Sequence, residues 1–199
     1  MKDTKEHIIK VSFGLFLQKS FKEVTMKEIV EKTGLSKGAF YHYFDSKEQI
    51  FIEIIHYAFD SILYMDFGKF SSKSLYDFYH DYISYMDRTY ASFQNAIEDG
   101  DSFDLNYYSL IFDAIRMFPE FKSKMIASNS TELEAWVNVI HTAKANCEIS
   151  SSMDDIQIAN VFIHTNSGVG MNNIMTGKSE ETTKYLLVIW DSFYKQLKR

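Results

Sequence analysis

Between Thr25 and Gln49 the chain carries more helix start and stop signals than anywhere else along its length. Thr25 stands three residues before Glu28, the spacing of a capping box that opens a helix. Ile29 and Val30 form the apolar side of that short helix. Gly34 ends it, because a residue without a Cβ enters the left-handed conformation freely. Ser36 can cap a second helix, predicted to run through Phe44. "DSKEQ" at 45–49 then restarts the chain, with Asp45 or Ser46 as cap and Glu48 or Gln49 at the reciprocal position. Two short helices joined by a tight, glycine-containing turn are a helix-turn-helix. The apolar positions agree with it: Ile29, Leu35, Phe40 and Phe44 are predicted to meet, with Phe40 and Phe44 one turn apart on one face.

Helical periodicity extends over the rest of the chain. Apolar groups at Ile8, Ile9, Val11, Phe13, Leu15 and Phe16 mark a helix at 4–19, with Lys5, Glu6, Lys10 and Lys19 opposite. Further helices are predicted at 46–65, 74–98 and 104–118, from Pro119 to 145, at 154–176 and at 180–198. Pro119 suits the first position of a helix, where its missing N–H costs nothing. One proline and eight glycines are too few for the frequent turns of a β-sandwich. The expected fold is all-α: a three-helix head containing the helix-turn-helix, then a larger helical body, about nine helices in total. The expected boundary separates the head at 1–48 from the body at 49–199.

Charge divides along the same line. Residues 1–50 hold 9 lysines against 7 acidic residues, while the remainder holds 12 basic against 20 acidic, so a +2 head precedes a −8 body. A basic head suits an anionic partner, and the net charge of −6 argues against nucleic acid coating the whole surface. Cys147 is the only cysteine, which rules out an intramolecular disulfide and fits a reducing compartment. No apolar run approaches the ~20 residues of a membrane span. The N-terminus has no apolar segment followed by a cleavage site. A cytoplasmic protein without membrane contact is expected.

The second helix of a helix-turn-helix enters the DNA major groove by its N-terminal end. Ser36, Lys37, Gly38, Ala39, Tyr41 and His42 occupy that end here. Gly38 and Ala39 are small enough for close approach, and the Ala39 methyl can meet a thymine methyl. Lys37 can reach a guanine edge or a phosphate, and Tyr41, His42 and Tyr43 offer donors to phosphate oxygens. Lys47, in the first turn of the next helix, adds its charge to amides that themselves attract phosphate. Thr25 and Lys27 stand at the start of the preceding helix, toward the other backbone flank.

The stretch "VTMKEIVEKTGLSKGAFYHYFDSKEQIF" resembles the DNA-binding head of the TetR family of bacterial repressors. The residues that carry the likeness are Thr25, Ile29, Gly34, Ser36, Gly38, Tyr41, Tyr43, Phe44, Ser46, Lys47 and Glu48, in order and spacing. It covers about residues 6–55, a quarter of the chain. Ser20, Val30, Thr33 and Ala39 depart from the family pattern, and the alanine at 39 removes one hydroxyl contact. The resemblance implies a three-helix head and a helical body that binds a small molecule and dimerises. It implies a ligand-responsive repressor that binds a palindromic double-stranded operator as a homodimer and is released by a small-molecule effector.

The resemblance also places the dimer contact on the last two helices. Candidates there are Ile163, Gly168, Gly170, Ile174, Leu186, Trp190 and Phe193, the glycines permitting close helix approach. Rings crowd the middle of the chain, and Phe78, Tyr82, Tyr85, Tyr108 and Phe112, with Arg116, are candidates for an effector cavity. The rival reading is a TetR-like fold acting as a protein-interaction or architectural module. An enzyme is not expected: no zinc-protease, nucleophile-elbow or phosphate-loop motif is present, nor any metal-ligand spacing. No cofactor and no metal are expected.

Overall fold

The computed structural model of the chain describes residues 2–96, 105–178 and 181–198. Nine α-helices and no strand occur among them: α1 (Lys2–Gln18), α2 (Met26–Thr33), α3 (Lys37–Tyr41), α4 (Lys47–Leu63), α5 (Leu75–Ala96), α6 (Leu105–Met117), α7 (Pro119–Ala145), α8 (Asp155–Met175) and α9 (Thr182–Leu197). A short 3-10 turn, Phe67–Lys69, precedes α5. The all-α expectation therefore holds. The expected helix ends at 98, 104 and 180 lie outside the described residues.

The residues form two compact units, 1–63 with 91–122, and 64–90 with 123–199. The expected division at 48/49 falls inside α4, within the first unit. The core of that unit is built by helices brought together from opposite ends of the head. Ile8, Phe13 and Phe16 of α1, Ile29 of α2, Phe40 of α3, and Ile50, Phe51 and Ile54 of α4 are all buried. Phe21, in the α1–α2 connector, stacks on Phe16 at 5.8 Å and meets Phe51 edge-on at 4.8 Å.

Local signals set the ends of the short helices. Thr25 Oγ1 accepts the Glu28 N–H at 3.2 Å and Ser36 Oγ accepts the Ala39 N–H at 3.3 Å. Gly34 closes α2 with φ +68°, the left-handed region. At the third start the Ser46 hydroxyl accepts the Gln49 N–H, and the Gln49 side chain accepts the Asp45 N–H. Helix α3 is shorter than the sequence predicts, ending at Tyr41 rather than Phe44. The reason is a tightened last turn, in which the Tyr43 N–H donates to the Phe40 carbonyl three residues back at 2.9 Å. Phe44 still reaches the core, and Tyr43 becomes half-buried.

The second unit is organised by rings. Trp136 of α7 stacks on Phe162 of α8 at 4.7 Å, and meets Phe78 of α5 and Trp190 of α9 edge-on. Burying such a side chain removes enough apolar surface to contribute about 1.5–3 kcal/mol each. Polar groups cross-link the same helices. Tyr79 Oη donates to Asp191 at 2.7 Å, and the Trp190 indole N–H donates to Thr165 at 3.0 Å. Glu148, after α7, accepts the Leu75 and Tyr76 N–H groups and so caps α5 from 72 and 73 residues away. The burial of Tyr79 and its bond to Asp191 push its phenol above the usual range.

Candidate nucleic-acid interface

Helix α3 has one buried side chain, Phe40, which anchors it to the head. Its remaining surface is open. Lys37, Gly38, Ala39 and His42 are exposed, and Tyr41 is 45% exposed. A Cβ at Gly38 would meet nothing within 4 Å, so the glycine is not demanded by packing inside the head. The Tyr41 ring lies edge-on to Phe40 at 5.6 Å, and the His42 ring edge-on to Tyr43 at 5.3 Å. Both outward rings are therefore braced by the ring beside them.

The flanking candidates fall into two groups. Thr25 is exposed while its hydroxyl caps α2, and Lys27 is exposed with a loose pair to Glu31 at 3.7 Å. Ser36 is exposed and caps α3. Lys47 differs from them. It is half-buried, and its ammonium donates to the carbonyls of Phe21 at 2.6 Å and Val24 at 2.7 Å while lying 4.3 Å from the Phe21 ring centroid. Sequence reasoning placed Lys47 on phosphate; its contacts here lie inside the head. Glu28 pairs with Lys19, which holds the Glu28 carboxyl below its usual range.

The effector candidates are divided between the units. Tyr108, Phe112 and Arg116 belong to the first: Tyr108 is half-buried, Phe112 is 61% exposed, and Arg116 pairs with Asp113. Phe78, Tyr82 and Tyr85 belong to the second, where Phe78 and Tyr82 are buried. Tyr85 lines a cavity of about 430 Å³ with Tyr64, Asp66, Lys69, Phe70, Asp81, Ser84 and Arg88. In the same unit, the Tyr82 hydroxyl donates to Glu132 and accepts from the Asn166 amide, both at 2.9 Å. Burial raises the Glu132 carboxyl above its usual range. The fully buried Trp136 indole N–H has no hydrogen-bond partner, though it lies near enough to that carboxylate to favour its charged form.

Of the dimer candidates, Ile174, Leu186 and Trp190 are buried within the second unit, Ile163, Gly170 and Phe193 are half-buried, and Gly168 is exposed. The exposed apolar side chains on α8 and α9 include Met171, Met175, Tyr185 and Val188. Sequence reasoning passed over these four, although the pairs 171/175 and 185/188 keep helical spacing away from the buried positions. Among the described residues no group of His, Cys, Asp and Glu side chains is arranged to hold a metal ion, and no helix is long and apolar enough to cross a membrane.

Residues 8–54 match the family described as "Bacterial regulatory proteins, tetR family". The head is that of the TetR family. The match covers all of α2 and α3 and most of α1, and reaches into α4. YerO of Bacillus subtilis, an uncharacterized HTH-type transcriptional regulator, is 46% identical over 57 residues, 29% of this chain but only 20% of its own length. IcaR of Staphylococcus aureus, a negative transcriptional regulator of the biofilm operon icaADBC, is 28% identical over 152 residues, covering 66% of this chain and 81% of IcaR. A solved putative transcriptional regulator of the TetR/AcrR family shares the fold with a TM-score of 0.65 at 19% identity, over 96% of this chain and 99% of that one. The TetR-like fold thus extends through the body, where sequence identity is low.

Proposed function

We propose that this TetR-family protein is a transcriptional regulator that binds a palindromic DNA operator as a homodimer and is released from it by a small-molecule effector. The carrying observation is α3, a short helix capped by Ser36 and anchored by Phe40 alone, with Lys37, Gly38, Ala39, Tyr41 and His42 facing outward. Small residues with a cation and ring-borne donors fit base edges and flanking phosphates together. Pairing through α8 and α9 is supported by the exposed Met171, Met175, Tyr185 and Val188, apolar area that a second copy can cover. An effector is supported by the 430 Å³ cavity and by the polar cluster of Tyr82, Glu132 and Asn166 among rings. Negative regulation is what the relative IcaR is described as performing.

The test is fluorescence anisotropy of the full chain with DNA from upstream of its own gene. Specific, salt-sensitive binding to a palindrome at two chains per site is expected. Tyr41→Ala should weaken it about tenfold or more, in keeping with ~1.5–3 kcal/mol for a hydrogen bond to a charged group such as phosphate, while leaving the melting temperature unchanged. Absence of any specific site would favour the protein-interaction reading instead.

A further inference from the structure

Seven residues, 19–25, separate α1 from α2, and the part of this connector between Phe21 and Thr25 is held from two sides. From α4, the Lys47 ammonium takes the Phe21 and Val24 carbonyls at 2.6 and 2.7 Å and covers the Phe21 ring at 4.3 Å. From α6, the buried Asp113 carboxylate accepts the Phe21 N–H at 3.4 Å across 92 residues, and Arg116 pairs with its other oxygen. The Phe21 ring is pinned by Phe16 and Phe51, and Phe51 stacks in turn on Phe118, just past the end of α6. Phe21 therefore has its amide, carbonyl and ring all engaged. Val24, the second residue gripped by Lys47, directly precedes Thr25, whose hydroxyl starts α2.

We infer that Lys47 and Asp113 are positioning residues, a clamp on the Phe21–Thr25 connector that sets the start of α2 against α4 and α6, and that Lys47 is not a phosphate contact. The inference rests on the DNA-binding reading for its consequence but not for its geometry. The donor capacity of Lys47 is the main reason. Two carbonyls and a ring already surround an ammonium that has three N–H groups. Leaving them for a phosphate would strip partners from two backbone carbonyls in a partly buried turn, a cost that exposed lysines avoid. Lys37, by contrast, is exposed at the start of α3, where meeting a phosphate strips no backbone carbonyl of its partner. Asp113 gives the clamp a second consequence: movement of α6 is transmitted directly to the Phe21 amide.

Two measurements on the full chain separate the alternatives. The first, made without DNA, is amide hydrogen exchange. Lys47→Met should raise exchange in residues 21–25 at least tenfold, and Asp113→Ala should do so at the Phe21 amide; Asp113→Asn, which keeps the acceptor, should restore protection. The second is the salt dependence of DNA affinity. Removing one direct phosphate contact lowers the slope of log K against log salt by about one. Lys37→Ala should show that drop, whereas Lys47→Met should weaken binding with the slope unchanged. Asp113→Ala adds a test of sign, since deleting a negative charge would tighten DNA binding electrostatically, while loosening the clamp weakens it. Unchanged exchange in Lys47→Met, a slope drop of about one in that variant, or tighter binding by Asp113→Ala would each overturn the inference. If Lys47→Met does not fold, Lys47→Arg, which keeps a donor within reach of both carbonyls, takes its place: full protection with an unchanged slope supports the clamp, and lost protection with full affinity refutes it. If the unaltered protein binds no DNA, the functional reading fails, and the exchange data judge the clamp alone.

Discussion

The helix-turn-helix at 25–44 and the ring core of the second unit solve the same problem by opposite means. In the head, helices of eight and five residues are too short to hold themselves, and each leans on a named end group: Thr25, Gly34 and Ser36. Its inward side is thin, Phe40 being the one buried residue of α3. In the second unit the helices are long, and the interlocking rings of Trp136, Phe162 and Trp190 bury far more area than the end groups that also cap α5 and α8. The comparison teaches where specificity of shape resides. An arrangement meant to present an exposed face has little area to bury, so local hydrogen bonds and one glycine conformation must fix it. An arrangement with a large ring core can rely on volume.

The sharpest way to break this contrast is Trp136→Ala. Its indole N–H makes no well-formed hydrogen bond and only lies near the Glu132 carboxylate, so packing dominates the effect. A loss of about 3–5 kcal/mol is expected in urea unfolding followed by circular dichroism. Next comes Gly34→Ala. A Cβ there meets no atom within 4 Å, so the cost is purely the left-handed backbone at φ +68°, about 1–2 kcal/mol by thermal unfolding. Should this exceed the Trp136 effect, the contrast drawn above is wrong. Thr25→Ala removes one cap and should cost ~1 kcal/mol, with Thr25→Ser close to the natural residue.

The smallest effect tests the one polar weakness of the ring core. Burial raises the Glu132 carboxyl in the folded chain, so folding takes up a proton more readily there than the unfolded chain does. Its contribution is fully favourable below the ordinary glutamate range and is lost as pH rises through the raised folded value. Glu132→Gln keeps an acceptor for Tyr82 and removes that titration. The variant should melt higher than the natural chain at neutral and alkaline pH, with the gain shrinking toward acid. A gain that grew toward acid would mean that the charged form is the preferred one, with the nearby His164 as the group to examine.

Legibility followed the same divide. Thr25, Gly34, Ser36 and Ser46 were readable because capping and left-handed backbone are decided within a few residues of chain. Helix number and approximate limits were readable from apolar periodicity, except that α3 stops at Tyr41, where a tightened last turn settles what periodicity could not. The outward face of α3 was readable from Phe40 and the spacing around it. The contacts of Lys47 were not, because its acceptors are carbonyls 23 and 26 residues earlier, and carbonyls leave no mark in a sequence. Nor was the capping of α5 by Glu148, or the exposure of Met171, Met175, Tyr185 and Val188 beside buried Leu186 and Trp190.

By itself, then, the order of residues determined that this chain is helical, where its short helices begin, and that its N-terminal residues match a TetR-like head. Those properties depend on neighbours one to four positions apart. Only the tertiary structure decided which rings are core, which apolar side chains remain exposed, and that Phe21 is gripped by both Lys47 and Asp113. Those outcomes depend on which surfaces meet across tens of residues, and side-chain chemistry permits several such meetings until packing selects one.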